Sequence, residues 1–245
     1  MKLEINSNSK VNGANAAKCV AKLLNKAIAA NGEARLLVST GASQFEMFEK
    51  LIKLDIDWSK IEVFHLDEYV GLPYNHPASF RKYLTERFVN HIPLKKMNFV
   101  NGEGDVCAMI KELTAAINAK PIDVGIIGIG VNAHIAFNDP PANFDTDEAY
   151  IVVELDEKCK MQQVGEGWFA TLDDVPKTAI TMSVKQIMKC KTIVSVVPHA
   201  VKAEAVYNTM TQPVNNMVPA TMLKAHDDWR LYIDYNSAKL IYNLD

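Results

Sequence analysis

The sequence predicts an α/β fold in which a mostly parallel sheet is covered by helices on both faces, and three observations predict it. Strand-like runs alternate with helix-like segments along nearly all of the 245 residues. The strand-like runs are short and apolar, as strands covered on both faces must be. No linker rich in Pro, Gly or Ser, no repeat and no low-complexity tract divides the chain, so residues 1–245 read as a single domain.

Each element follows from its local pattern. Ala16, Val20, Leu23, Leu24 and Ala27 recur at helical spacing, and Asn31-Gly32 ends that helix. Arg35-Leu-Leu-Val-Ser39 is a short strand, and Phe45, Phe48, Leu51 and Ile52 mark a second helix. Ile61 to Leu66 reads as a strand and Ser79 to about Asn90 as a helix. Val106, Ile110, Leu113 and Ile117 line another helix before the strand Ile122 to Ile127. Strands are expected near Tyr150–Leu155, Thr178–Met182 and Lys191–Val197, a helix from about His199, and a last strand over Trp229 to Asp234. The least periodic stretch, from about Asn138 to Asp174, has the character of a lid or binding loop around residues 140–174.

Composition excludes several classes of function. Lys and Arg number 26 against 29 Asp and Glu, a formal net charge of −3, so a nucleic-acid or anionic-membrane binder with a basic surplus is not expected. No run of 18 apolar residues occurs, and the start lacks the apolar core of a signal peptide. The four cysteines (Cys19, Cys107, Cys159, Cys190) form no CxxC pair. They read as free thiols of a cytoplasmic protein, most of them small core residues, with no metal site. A homo-oligomer is compatible with all of this.

In an open α/β sheet, ligands bind beyond the carboxyl ends of the strands, and three strand ends carry chemistry. The turn Ser39-Thr40-Gly41-Ala42-Ser43 leads into a helix N-terminus, where free N–H groups and the helix dipole suit a phosphate. Ser43 with Glu46 equally fits a capping box. In His65-Leu66-Asp67-Glu68-Tyr69 a strand runs into paired acids. One of these can serve as a general base if its pocket raises its pKa, or both can cap a turn. Gly128-Ile-Gly130-Val-Asn132-Ala133-His134-Ile-Ala-Phe-Asn138-Asp139-Pro140 matches the dinucleotide pattern G-x-G-x-x-A only formally. Asn138-Asp139-Pro140-Pro141 would break the helix that such a site needs. What remains is a glycine-rich turn holding a histidine with a carboxylate five residues on.

Taken together, the motifs resemble the glucosamine-6-phosphate deaminase (isomerase) family, which is related to the 6-phosphogluconolactonases. Leu66-Asp-Glu-Tyr-Val-Gly-Leu-Pro73 with His76-Pro77 and Ser79, and Gly128 to Asn138, are the long matches. Asp174-Val-Pro176, Ala179-Ile-Thr181, Lys202-Ala203, Pro219-Ala220 and His226 support them. His134 is followed by Ile-Ala-Phe-Asn, which favours the deaminase branch over the lactonases. The resemblance implies a three-layer Rossmann-like fold, and conversion of an amino-sugar 6-phosphate to a ketose 6-phosphate plus ammonia without metal or organic cofactor. It places Asp67 on the base that moves a proton between C2 and C1, and His134 on the group that assists ring opening. Ser39, Thr40, Gly41, Ala42, Ser43 and Lys202 fall on the phosphate-binding positions.

The sequence also departs from the family pattern. Asn132 stands where some members carry aspartate and others Asn, Ala133 replaces a glycine, and Asp139 replaces the glutamate that partners the histidine. The phosphate turn ends Ala42-Ser43-Gln44. The lid stretch from Gln162 to Phe169 lacks the usual arginine, and the chain has only Arg35, Arg81, Arg87 and Arg230. Another cation such as Lys160 or Lys202 must then compensate, or the substrate differs. The alternatives are a related sugar-phosphate isomerase, a 6-phosphogluconolactonase-like hydrolase, or a binding module without catalysis.

Overall fold

The computed structural model describes residues 1–165 and 167–242, apart from the side chains of residues 158, 159 and 162. In chain order its elements are β1 (Lys2–Asn6), α1 (Ser9–Asn31), β2 (Ala34–Val38), α2 (Phe45–Leu51), β3 (Ile61–His65), β4 (Asp67–Tyr69), α3 (Phe80–Arg87) and β5 (Lys96–Asn98). They continue as α4 (Val106–Asn118), β6 (Val124–Ile126), β7 (Tyr150–Glu154), α5 (Glu157–Gly165), β8 (Thr178–Met182), α6 (Val184–Ile187), β9 (Thr192–Val197), α7 (Ala203–Thr211) and β10 (Trp229–Asp234).

Seven strands form one sheet in the order β1-β10-β9-β6-β2-β3-β5, and every adjacent pair in it is parallel. Successive side chains along a strand point to opposite faces, so each strand feeds two cores. Leu37 and Phe64 lie in the core shared with Leu113, Ile117 and Val206. Their neighbours Leu36, Val38 and Val63 lie in the core shared with Val20, Leu24 and Phe48. A helical layer on each face of the sheet is the consequence.

Helix α1 begins seven residues before the apolar periodicity does. Asn8 caps it by accepting from the Val11 N–H at 3.0 Å, and Asn12 is wholly buried, donating to the Tyr232 carbonyl. Gly13 sits in this polar-looking first half because a Cβ there would lie 2.7 Å from the Met47 backbone nitrogen. Only glycine lets α1 and α2 approach so closely.

The mostly parallel sheet with helices on both faces is the fold observed, and the strands expected near Tyr150 and Thr178 form outside it. There β7 and β8 pair antiparallel, and β8 pairs antiparallel with β4, in a separate three-stranded sheet of order β4-β8-β7. Within the least periodic stretch the structure adds helix α5 to the expected strand β7. The cysteine expectation also changes. Cys190 is buried, but Cys19 is half-buried and Cys107 exposed, while the Cys159 side chain lies outside the described residues. Among the described residues, no helix is long and apolar enough to cross a membrane.

Candidate active site

The carboxyl ends of β2, β3, β6 and β9 converge on a cleft of about 200 Å³. The turns that follow these four strands line it, as does a wall from α3, the α5 segment and the loop after it.

The turn after β2 contributes Ser39, Thr40, Gly41, Ala42 and Ser43, all of which line the cleft. Its shape is fixed from two sides. The Tyr83 hydroxyl donates to the Gly41 carbonyl at 3.0 Å, and Gln44 Nε2 donates to the Val196 carbonyl on β9 at 3.2 Å. The capping box allowed by Ser43 and Glu46 does not form: α2 has no side-chain cap, and Glu46 instead accepts from the Ser9 hydroxyl at 2.9 Å. Ser39 Oγ is buried at the mouth of this turn without a hydrogen-bond partner. Lys202 approaches the same cleft from β9. It closes a short 3-10 turn, Ala200–Lys202, and α7 begins one residue later.

The paired acids after β3 separate by role. Glu68 is wholly buried and its carboxylate accepts from the Ser79 hydroxyl, from the Phe80 and Arg81 backbone N–H groups and from Arg81 Nε. It anchors the start of α3, where negative charge is favoured by the unpaired N–H groups. Asp67 lines the cleft and is 6% exposed. Burial, and then the neighbouring Glu68 charge, push its carboxyl up to about 8. Carboxylic acids are raised in this way wherever water is withdrawn from the charged form.

The turn after β6 holds the histidine. His134 Nδ1 lies 2.9 Å from Asp139 Oδ1, and Asn132 Nδ2 donates to the same oxygen at 2.9 Å. Asn132 Oδ1 in turn accepts from the His134 backbone N–H at 3.2 Å. Asp139 Oδ1 thus accepts from Asn132 and lies beside His134 Nδ1 at ion-pair distance, although Nδ1 itself meets no hydrogen-bond geometry. The turn is tight: a Cβ on Gly130 would sit 2.2 Å from His134 Nε2, so the ring occupies the space that glycine leaves. Ala133 adopts φ 64°, a left-handed conformation that costs an alanine roughly 1 kcal/mol.

The four arginines are all committed elsewhere. Arg35 is held by Glu62 and by carbonyls at the end of α4, and Arg81 by Glu68 and Glu103. Arg87 lies over the Phe45 ring, and Arg230 pairs with Asp228. None lines the cleft and neither does Lys160; among the described residues, Lys202 is the lysine that does. Tyr83 and His199, which sequence reading passed over, also line the cleft, as do Gln163 and Trp168 from the expected lid stretch. His199 has φ 80° and ψ 146°, a region adopted almost only by glycine. His226, by contrast, is away from the cleft, buried with Nε2 2.7 Å from the Cys190 carbonyl.

Comparison with known proteins gives one consistent picture. The family model of glucosamine-6-phosphate isomerases/6-phosphogluconolactonase matches residues 7–232. A glucosamine-6-phosphate deaminase of Streptococcus pneumoniae is 34% identical over 213 residues, covering 86% of this chain and 90% of the relative. One from Streptococcus agalactiae is 35% identical, covering 84% and 88%. The solved structure of a monomeric glucosamine-6-phosphate deaminase superposes with a TM-score of 0.89 at 29% identity, covering 98% of this chain and 100% of that one. The 6-phosphogluconolactonase of Thermotoga maritima shares the fold, with a TM-score of 0.79 at 12% identity over 95% and 99% of the two chains.

Proposed function

Because the chain belongs to the family of glucosamine-6-phosphate isomerases and 6-phosphogluconolactonases, we propose that its cleft converts an amino-sugar 6-phosphate to a ketose 6-phosphate and ammonia. The observation that carries this reading is the presence in one cleft of a buried carboxyl, Asp67, and a histidine, His134, whose Nδ1 lies 2.9 Å from the Asp139 carboxylate. The similarity to deaminases over most of both chains supports it.

The Ser39–Ser43 turn and Lys202 hold the 6-phosphate, the turn through backbone N–H groups and hydroxyls, the lysine through charge. His134, its second nitrogen beside Asp139, moves the proton that opens the pyranose ring. Asn132 keeps Asp139 and the histidine in register. In the open aldose the C2 proton is acidified by the C1 carbonyl, and the Asp67 carboxylate removes it. Returning that proton to C1, while the amine nitrogen loses a proton and O1 gains one, leaves an imine at C2, which water hydrolyses to the ketose and ammonia.

The raised affinity of Asp67 for its proton suits this sequence. In the free protein the carboxyl is held largely neutral at pH 7. A 2-ammonium group beside it favours the carboxylate, so the base is generated where the amino substrate sits. The chemistry needs no metal or organic cofactor.

The experiment is to supply the purified protein with the 6-phosphates of glucosamine, galactosamine and glucose and with 6-phosphogluconolactone, measuring ammonia and ketose. Equal amounts of ammonia and ketose from an amino sugar are expected. Ketose without ammonia from the neutral sugar, or lactone hydrolysis alone, would overturn the proposal.

A further inference from the structure

His65 is the last residue of β3 and stands two positions before Asp67. Its side chain is wholly buried, and neither ring nitrogen has a hydrogen-bond partner. A buried imidazole without partners costs stability, and such groups in a folded protein call for a reason. Nothing in the packing supplies one: the ring meets Phe80 and Phe99 edge to face, with centroids 6.4 Å away in each case. The nearest carboxylate is the proposed base itself, with His65 Nε2 4.0 Å from Asp67 Oδ1.

The groups around this pair are few. From β4 come Asp67 and, behind it, Glu68, which is engaged by Ser79 and Arg81. From α3 comes the Arg81 guanidinium, paired with Glu68 and Glu103. From β7 the Tyr150 hydroxyl donates to the His65 carbonyl at 3.0 Å. On the flanking strands, Val38 of β2 stands opposite His65, and Asn98 of β5 stands opposite the preceding Phe64. Burial, with a further contribution from Arg81, pushes the imidazole down to about 3, so the ring is neutral at working pH. A neutral ring carries one N–H donor.

We infer that His65 is a positioning residue for Asp67: its Nε2–H closes onto the Asp67 carboxylate when that group ionises, and orients the other oxygen towards C2 of the substrate. The movement needed is about 1 Å, from 4.0 Å to ordinary hydrogen-bond length. Ring edges, and not hydrogen bonds, hold the imidazole, so no hydrogen bond has to break for it to turn by that amount. When Asp67 is protonated the contact is slack; when it is charged the contact is strong, because hydrogen bonds to ionised groups are the stronger kind. His65 therefore makes the base available at a lower pH than burial alone would allow, and it does so without introducing a second charge.

This inference rests on Asp67 being the base, and the test separates the two. His65→Phe and His65→Met remove the donor while keeping apolar volume, and His65→Gln keeps a donor. For each folded variant, the Asp67 carboxyl is titrated in the ligand-free protein by carbon-13 NMR, and kcat/KM is measured against pH. The donor-less variants are expected to move both the carboxyl titration and the acid limb of kcat/KM upward by about one pH unit, a tenfold effect. His65→Gln is expected to stay near the parent. An unmoved carboxyl titration in the donor-less variants overturns the inference, as does a loss of activity uniform across pH with the limb in place. Asp67→Asn is assayed in parallel. If that variant keeps its turnover, the base assignment fails, while the NMR titration still decides whether His65 and Asp67 are linked.

Discussion

Replacing Asp67 by asparagine should disable the enzyme and stabilise the protein in the same step. In the folded chain the Asp67 carboxyl is pushed up from 3.8 to about 8, whereas in the unfolded chain it titrates normally. Between these two values the folded state holds a proton that the unfolded state has released. Unfolding therefore becomes easier as pH rises, and the stability present below pH 4 is lost progressively up to about pH 8. Four units at about 1.4 kcal/mol each set a ceiling of about 6 kcal/mol. Relaxation and water entry around a buried charge recover part of that, leaving an expected cost of about 2 to 4 kcal/mol at pH 8. Asparagine keeps the shape and carries no charge, so it escapes the cost. Urea unfolding of the parent and of Asp67→Asn should give a difference of about 1 kcal/mol at pH 4.5 that widens to about 2 to 4 kcal/mol at pH 8, with m unchanged. Turnover should fall by about a hundredfold or more. A stability difference that does not grow with pH would refute the reasoning, because the carboxyl would then be solvated in the fold. A site that sacrifices stability for reactivity is the general expectation for active sites.

The other predictions test the rest of the cleft. His134→Ala and Asp139→Asn should each slow turnover of cyclic substrate by about a hundredfold, with the double variant little worse than either, since two groups acting as one unit are not additive. An intact rate in Asp139→Asn would reduce Asp139 to a structural partner of Asn132. Lys202→Ala should raise KM about tenfold or more and weaken inhibition by inorganic phosphate; unchanged values would remove Lys202 from the site. Ala133→Gly should raise the urea midpoint by an amount equivalent to about 0.5 to 1 kcal/mol, because glycine adopts φ 64° without steric cost. A lowered midpoint would mean that the alanine packing outweighs the strain.

The sequence by itself determined the elements whose signal is local. The largely apolar runs at Arg35–Ser39, Ile61–Leu66 and Trp229–Asp234 became β2, β3 and β10 because strands buried on both faces are built mainly from apolar residues. The strand-end motifs were legible for the same reason: turn chemistry and glycine placement are written over a few residues. That is how the three strand-end segments could be singled out, while the choice of Asp67 and His134 within them came from the resemblance to the family. The edge strand β1 escaped because most of its residues are exposed, so its place is set by backbone register with β10 and not by burial.

Tertiary structure alone decided which residues meet. That β4 and β8 leave the parallel sheet to pair antiparallel depends on partners more than a hundred residues apart, which no local pattern encodes. The same folding step divided the adjacent acids, sending Glu68 to anchor α3 and leaving Asp67 facing the cleft. Successive residues of a strand face opposite ways, but which way is fixed only when the sheet finds its neighbours. The isolation of His65 belongs here too. Its flanking residues, Phe64 and Leu66, offer no polar side chain, but only the packing of Phe80 and Phe99 around the ring leaves the Asp67 carboxylate as the charged group it faces.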